Sequence, residues 1–289
     1  MAYLDILFGG LTLGAIYCVF ALGLSLVYGT GHVLNFAHGS LYMCGAYLAW
    51  LLLSGWFQFG YLLTFVVLLP VLFLAGILIE RVLIRPLRRQ NNWRTKTMLM
   101  TLGLAFVLDN MNLIFFGSHS KLLPPLVEGS ISVLGVNVSQ HRAMVFVLAI
   151  VIVVALEMFL RYTRHGQAMR AVAQDQTAAD IVGINVHRVF GYTFGISVVL
   201  AGVAGVLLAP MYMASPFGGW APFLKAFVIV VFGGLGSTRG VLLAAFILGV
   251  LEAFATVWVG SSWIMPIWLL TMLVVLMVRP EGLLGTPGR

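Results

Sequence analysis

Four ionisable side chains, Asp109, Glu157, Lys225 and Glu252, lie inside or at the edge of long apolar runs, and Asn35 and His38 add hydrogen-bonding groups in another. Charge placed at bilayer depth is costly, so such residues mark function unless a bland partner accounts for them. Glu157 has one, since Arg161 follows at i+4 and the two form a helix-surface pair. Asp109 is followed by Asn110 and Asn112, a polar stripe that must face protein or a water-filled cavity. Four scattered charges are too few for a proton relay. His32 and His38 lack the further ligands that a structural zinc requires, so no metal site is expected. No H-E-x-x-H, paired-aspartate, G-x-S-x-G or Walker A pattern occurs, which removes the reaction classes those motifs perform. Gly233-Gly234-Leu235-Gly236-Ser237 resembles a phosphate cradle only in its glycines and lacks the Gly-Lys-Ser/Thr ending, so no ATPase site and no bound cofactor are expected in this chain.

The elements that must position these groups follow from composition. Hydrophobic residues make up 61% of the 289 and charged residues 9%, against roughly 45–50% and about 25% in soluble domains. Mean hydropathy is +1.06. The chain therefore reads as an integral membrane protein, all-α and polytopic, with the lipid bilayer as its surroundings. The net charge of +7 does not indicate nucleic acid, because the basic residues sit in loops beside apolar runs, where they orient spans. Cys18 and Cys44 lie within apolar stretches and read as packing residues. Met1-Ala2-Tyr3-Leu4-Asp5 lacks the positive region of a signal peptide, so the first apolar run is expected to be a retained span.

From Asp5 to Glu80, 74 residues pass without Asp, Glu, Lys or Arg. At about 20 residues per crossing, that stretch holds spans near 4–28, 38–54 and 60–83, with breaks at 29–39 and around Ser54-Gly55-Trp56. Arg81, Arg85, Arg88, Arg89, Arg94 and Lys96 mark a cytoplasmic loop. Spans near 97–117 and 142–160 follow, joined by a linker with Lys121, Glu128 and Pro124-Pro125 on the outer side. Arg161, Arg164, Arg170 and Arg188 return the chain to the cytoplasm. Apolar runs near 189–213, 222–233, 240–259 and 263–278 complete eight or nine spans, some broken or re-entrant, and Arg279 and Arg289 place the C-terminus inside. This topology puts the N-terminus outside and 13 of 16 basic residues on one side, all but Lys121, Arg142 and Lys225. Ala201, Gly205 and Ala209, and likewise Gly10 and Gly14, recur every four residues as helix-packing faces.

The longest polar stretch runs over 161–188. Asp175 there can cap a short helix and Gly183 suits its C′ position, while Ala178, Ala179 and Val182 form a small apolar face. Such a helix fits either a cleft in another protein or a fold over its own bundle. Thr177-Ala178-Ala179-Asp180-Ile181-Val182-Gly183 resembles the EAA coupling loop of ABC importer permeases, which runs Glu-Ala-Ala-x-x-x-Gly, with Thr177 in place of the acid. Asn35-Phe36-Ala37-His38-Gly39, Glu80-Arg81 with Arg85-Pro86-Leu87-Arg88, Ala168–Asp175 continuing into Gly183-Ile184-Asn185-Val186, Lys225-Ala226-Phe227, Gly233–Ser237 and Arg279-Pro280-Glu281-Gly282-Leu283 are similar to a narrower family. That family is the branched-chain amino acid (high-affinity leucine, isoleucine and valine) ABC permeases. The resemblance runs in order from about residue 9 to 285. The sequence departs from the family pattern at Thr238-Arg239, where a proline usually stands, and at Asp109, commonly Gln.

The resemblance implies a single transmembrane permease domain over 1–289 in a bacterial inner membrane, with 161–188 as its cytoplasmic coupling loop. It implies half of a translocation pore, completed by a second homologous permease, two ATP-binding subunits that hydrolyse the ATP, and a periplasmic solute-binding protein. Asp175, Thr177, Ala178, Ala179, Val182 and Gly183 would dock the ATP-binding subunit. Asn35, His38, Asp109, Gly233, Gly234 and Gly236 are candidates for the substrate path, because irregular backbone at membrane depth survives where it lines a cavity or is buried in protein. The local alternative stands beside this: Asn35 and His38 as helix caps, the glycines as a tight turn. Substrates implied are branched-chain amino acids, with urea or short amides as the alternative. A stand-alone ion-coupled transporter is the rival from another class.

Overall fold

The computed structural model describes residues 2–133 and 136–285; Arg289, assigned to the cytoplasmic end from sequence, lies outside them. The chain is built from helices, in order α1 (Ala2–Gly31), α2 (His38–Leu53), α3 (Tyr61–Ile79), a π-helical segment (Glu80–Ile84), α4 (Arg85–Leu87), α5 (Trp93–Phe116), α6 (Gln140–Tyr162), α7 (Arg164–Gln174), α8 (Gln176–Ile181), α9 (Val186–Tyr212), α10 (Trp220–Gly233), α11 (Thr238–Trp258) and α12 (Ile264–Val278). The expected all-α polytopic class holds. One small element was not anticipated: β1 (Ser130–Val133) pairs antiparallel with β2 (Val136–Ser139), Ser130 opposite Ser139, inside the linker between α5 and α6.

Seven helices among the described residues are long and apolar enough to cross a membrane. The larger expected number also counts α2 and α10, of 16 and 14 residues. At 1.5 Å per residue α10 reaches about 21 Å, short of a hydrocarbon layer of about 30 Å.

The chain forms two compact units. The first comprises the residues up to Ser25, Pro125–Val154 and those from Leu224 onward; the second comprises Leu26–Pro124 and Ala155–Phe223. In the second, α9 is the central helix, largely buried and packed on α2 and α3. The contact depends on missing side chains: a Cβ on Gly45 of α2 would collide with the backbone of Gly202 on α9, and one on Gly205 with Tyr42 of α2. Close backbone approach of this kind replaces the hydrophobic drive that lipid removes. In the first unit the same device joins α1 to α11, where a Cβ on Gly10 would stand 2.7 Å from Val250 Cα and one on Gly249 2.5 Å from Gly14 Cα. Gly10, Gly14 and Gly205 were singled out by spacing; Gly45, Gly202 and Gly249 were not.

Candidate functional site

The polar segment after α6 is more ordered than a loop. Thr163 caps α7, its Oγ1 accepting from the Gly166 N–H at 3.0 Å. Asp175 then caps α8, one carboxylate oxygen accepting from the N–H groups of Thr177 (2.8 Å) and Ala178 (3.0 Å). α8 ends in a Schellman motif: the Gly183 N–H bonds Asp180 O and the Ile184 N–H bonds Ala179 O, both at 3.0 Å. Gly183 takes the left-handed φ of +87° this closure demands. Asn185 caps α9 through Arg188 N–H. Within α8, Ala179 faces inward and is buried, while Thr177, Ala178, Ile181 and Val182 are exposed. The exposed apolar face expected from Ala178, Ala179 and Val182 is therefore corrected to Ala178, Ile181 and Val182, because α8 packs with Ala179 beneath it and Ile181 outward. One further bond leaves α8: Gln176 Nε2 donates to Thr30 O at 2.7 Å.

Other contacts gather at the same end of the second unit. Arg88 lies 3.6 Å above the Phe190 ring centroid and its Nη1 is 3.3 Å from His187 Nδ1. Burial lowers the Arg88 pKa from its ordinary value, with Glu80 opposing. His32, at φ +52° in the break after α1, is held below its usual pKa by burial and then by Arg94. At the other end of these helices, Lys121 and Ala214 exchange backbone hydrogen bonds and Tyr61 donates to Pro124 O.

Between those ends α2 and α5 share a polar seam. The buried side of α5 carries Thr97, Thr101, Ala105, Asp109 and Asn112. Asn110 instead points outward and bonds Phe106 O, which corrects its place in the expected stripe: a helix turns about 100° per residue, and 110 falls off the face shared by 105, 109 and 112. Asp109 Oδ2 accepts from Trp220 Nε1 at 3.0 Å, and Oδ1 has no partner. Ser40 Oγ reaches Ala105 O, and Asn112 contacts Cys44 Sγ. Asn35 and His38 are both fully buried. Asn35 Oδ1 accepts from Ala37 N–H at 3.1 Å, while its Nδ2 has no partner; Ser197 Oγ lies 3.5 Å from His38 Nδ1. Phe36 N–H, between them in sequence, bonds Thr101 Oγ1.

A cavity of about 20 Å³ borders Asn35, Glu80, Thr97, Thr101 and Phe190. Small-molecule pockets run to ~300–1,000 Å³, so the second unit is closed around Asn35 in this conformation. Glu80 occupies the π-helical segment, with Oε1 unpartnered, and such segments are frequent where helices must yield.

In the first unit, Lys225 and Glu252, expected to be scattered, form an ion pair of 2.6 Å with the carboxylate buried and the lysine partly so. Lys225 Nζ also donates to Tyr17 Oη at 2.8 Å, and Tyr17 donates to Glu252 Oε1 at 3.1 Å. The Trp268 ring stands 5.5 Å from Nζ and edge-on to Tyr17. Gly233, Gly234 and Gly236 make the turn between α10 and α11. A Cβ on Gly233 would meet Gly240 at 2.5 Å, and Gly234 and Gly236 have φ of +105° and +82°. The segment after α12 closes on this turn, Leu283 N–H bonding Phe232 O at 2.8 Å and Leu284 N–H bonding Gly233 O at 3.1 Å. Two of the sequence motifs thus meet. Among the described residues no group of three His, Cys, Asp or Glu gathers as a metal set would.

Gln176, Ser40, Trp220 and Thr101 went unnoticed in the sequence. Only Thr101 had a readable signal, the four-residue spacing of 97, 101, 105 and 109.

Comparison with known proteins gives a consistent answer. The family model described as branched-chain amino acid transport system, permease component, matches residues 6–278. The chain is 34% identical over 298 residues to the high-affinity branched-chain amino acid transport system permease protein LivH of Salmonella typhimurium, covering 99% of this chain and 96% of that one. BraD of Pseudomonas aeruginosa, which carries the same description, is likewise 34% identical with the same coverage. The probable branched-chain amino acid transport permease LivH of Methanocaldococcus jannaschii is 30% identical, covering 97% of this chain and 92% of that protein. No solved structure matches. The chain is a multi-pass membrane protein that belongs to the branched-chain amino acid transport system permease family.

Proposed function

We propose that this permease forms half of the pore of an ATP-driven importer for branched-chain amino acids and docks an ATP-binding subunit through 161–188. The observation that carries the reading is α8, a doubly capped helix that exposes Ala178, Ile181 and Val182 within the segment resembling the coupling loop. Contiguous exposed apolar side chains of that kind commonly mark a surface where a partner sits. The partners in this reading are a homologous second permease, two ATP-binding subunits and a solute-binding protein; this chain binds no cofactor, and ATP is consumed by its partners.

The gathering of Arg88, His187, Gln176 and Thr30 at one end of the second unit supports a common cytoplasmic side for the C-terminal end of α1, the basic loop and α8. With the C-terminal end of α1 on that side, the N-terminus is proposed outside the inner membrane, and the C-terminus is proposed inside from the placement of Arg279 after α12. The substrate path is proposed along the α2–α5 seam at Asn35, His38 and Asp109. Gly233, Gly234 and Gly236, at the turn between α10 and α11, are proposed as further path residues, their backbone left bare by missing side chains. Because the seam is closed, opening requires a conformational change, and nucleotide can drive one only through unequal affinity for the two states.

A second reading takes urea or a short amide as cargo. It is favoured by Asp109, a carboxylate met by the neutral Trp220 N–H where the family pattern commonly has Gln. Uptake of leucine, acetamide and urea by proteoliposomes holding the intact complex decides between them. ATP-dependent leucine uptake is the expected result. Uptake by this chain without any ATPase would instead establish the ion-coupled alternative. Ala178→Arg or Val182→Asp should abolish co-purification of the ATP-binding subunit while leaving membrane insertion intact.

A further inference from the structure

α1 ends at Gly31, and the last carbonyls of a helix have no partner within it. Thr30 is 3% exposed, and its hydroxyl is already engaged with Leu26 O and Val27 O. Its carbonyl is met by Gln176 Nε2 at 2.7 Å, a contact between residues 146 apart in sequence. Gln176 is the first residue of α8, and the Asp175 carboxylate fixes the backbone of the two residues that follow it. Among the described residues this is the one side-chain hydrogen bond that runs from α8 to a membrane-crossing helix. Directly beyond Thr30 the chain enters the break that carries His32, Asn35 and Phe36, and Phe36 N–H is tied to Thr101 on the polar seam.

We propose that Gln176 is a positioning residue that couples the docking helix to this break. Displacement of α8 pulls on the end of α1 through one hydrogen bond, and the end of α1 carries the 32–37 segment with it. This inference rests on α8 being the docking helix. A donor is what the position requires, and the negative end of the α1 dipole also accepts a cation, so lysine substitutes for glutamine there whereas leucine and glutamate do not.

The test uses the complete complex in proteoliposomes, with three readouts: co-purification of the ATP-binding subunit, ATP hydrolysis, and leucine transported per ATP. Gln176→Leu is expected to keep co-purification and hydrolysis within about twofold while transport per ATP falls roughly fivefold, the size set by one buried hydrogen bond. Gln176→Glu falls further, because a carboxylate faces a carbonyl, and Gln176→Lys recovers most of the loss. An intact Gln176→Leu complex with the normal ratio overturns the proposal, as does loss of co-purification, which would make Gln176 a docking residue instead. Ala178→Arg serves as the separate control: normal co-purification in that variant sinks the docking reading itself.

Discussion

Glu252 and Asp109 are both 3% exposed or less and both sit on membrane-crossing helices, yet they are stabilised by opposite means. Glu252 has a cation at 2.6 Å and a phenol besides, joining α1, α10 and α11 within the first unit. Asp109, in the second unit, has a tryptophan N–H in place of a cation, and each of the two carboxylates keeps one oxygen without a hydrogen-bond partner. A charge neutralised by a fixed counter-ion is part of the scaffold. One held only by neutral donors keeps capacity for something that arrives. The difference bears on the proposal that Asp109 lies on the substrate path, and sequence position did not show it.

The comparison breaks most readily at Glu252. Glu252→Ala leaves the largely buried Lys225 with the Tyr17 hydroxyl but no counter-ion, a loss of about 1.5–3 kcal/mol, read as a fall in unfolding temperature in detergent. Adding Lys225→Met should recover much of that loss; if the double variant is no more stable than the single one, the pair is not what holds these helices. Asp109→Asn preserves shape and should leave the unfolding temperature nearly unchanged. Its transport is expected to fall about tenfold, since hydrogen bonds to a charged group are worth ~1.5–3 kcal/mol. Equal losses of stability and uptake would return Asp109 to the scaffold class. Trp220→Phe removes one donor and should cost less, about 1 kcal/mol, with an effect non-additive with Asp109→Asn because the two share one bond. Glu157→Ala marks the floor. Its partner Arg161 lies at 2.6 Å but both side chains are over a third exposed, so solvent screening leaves a change of at most about 0.5 kcal/mol.

Local features were legible because their causes are local. The Asp175 cap, the Gly183 closure and the Glu157–Arg161 pair each depend on residues within one or two turns, and all are present as the spacing implied. Membrane character followed from composition alone. What escaped was helical phase. α3 is apolar on almost every side and α2 beyond its first turn nearly so, so no periodicity reveals which face meets α9, and the glycines that permit the contact look like any others. For the same reason Lys225, Glu252 and Tyr17 read as separate oddities, since only the packing of three helices unites them. Ala179 lies under α8 because of how that six-residue helix packs on its own unit, which spacing to neighbouring apolar residues does not reveal. Gln176 had no signal: its partner is a backbone carbonyl, and backbone is invisible to residue type.

The bonds from Leu283 and Leu284 to the final carbonyls of α10 carry a consequence for biogenesis. Translation delivers α10 well before the stretch that finishes its end, so the short helix must wait in the insertion machinery or at the bilayer surface with those carbonyls hydrated. Its final seating is then among the last events of synthesis, and a nascent chain stalled before Leu283 would hold every other helix while lacking a settled α10.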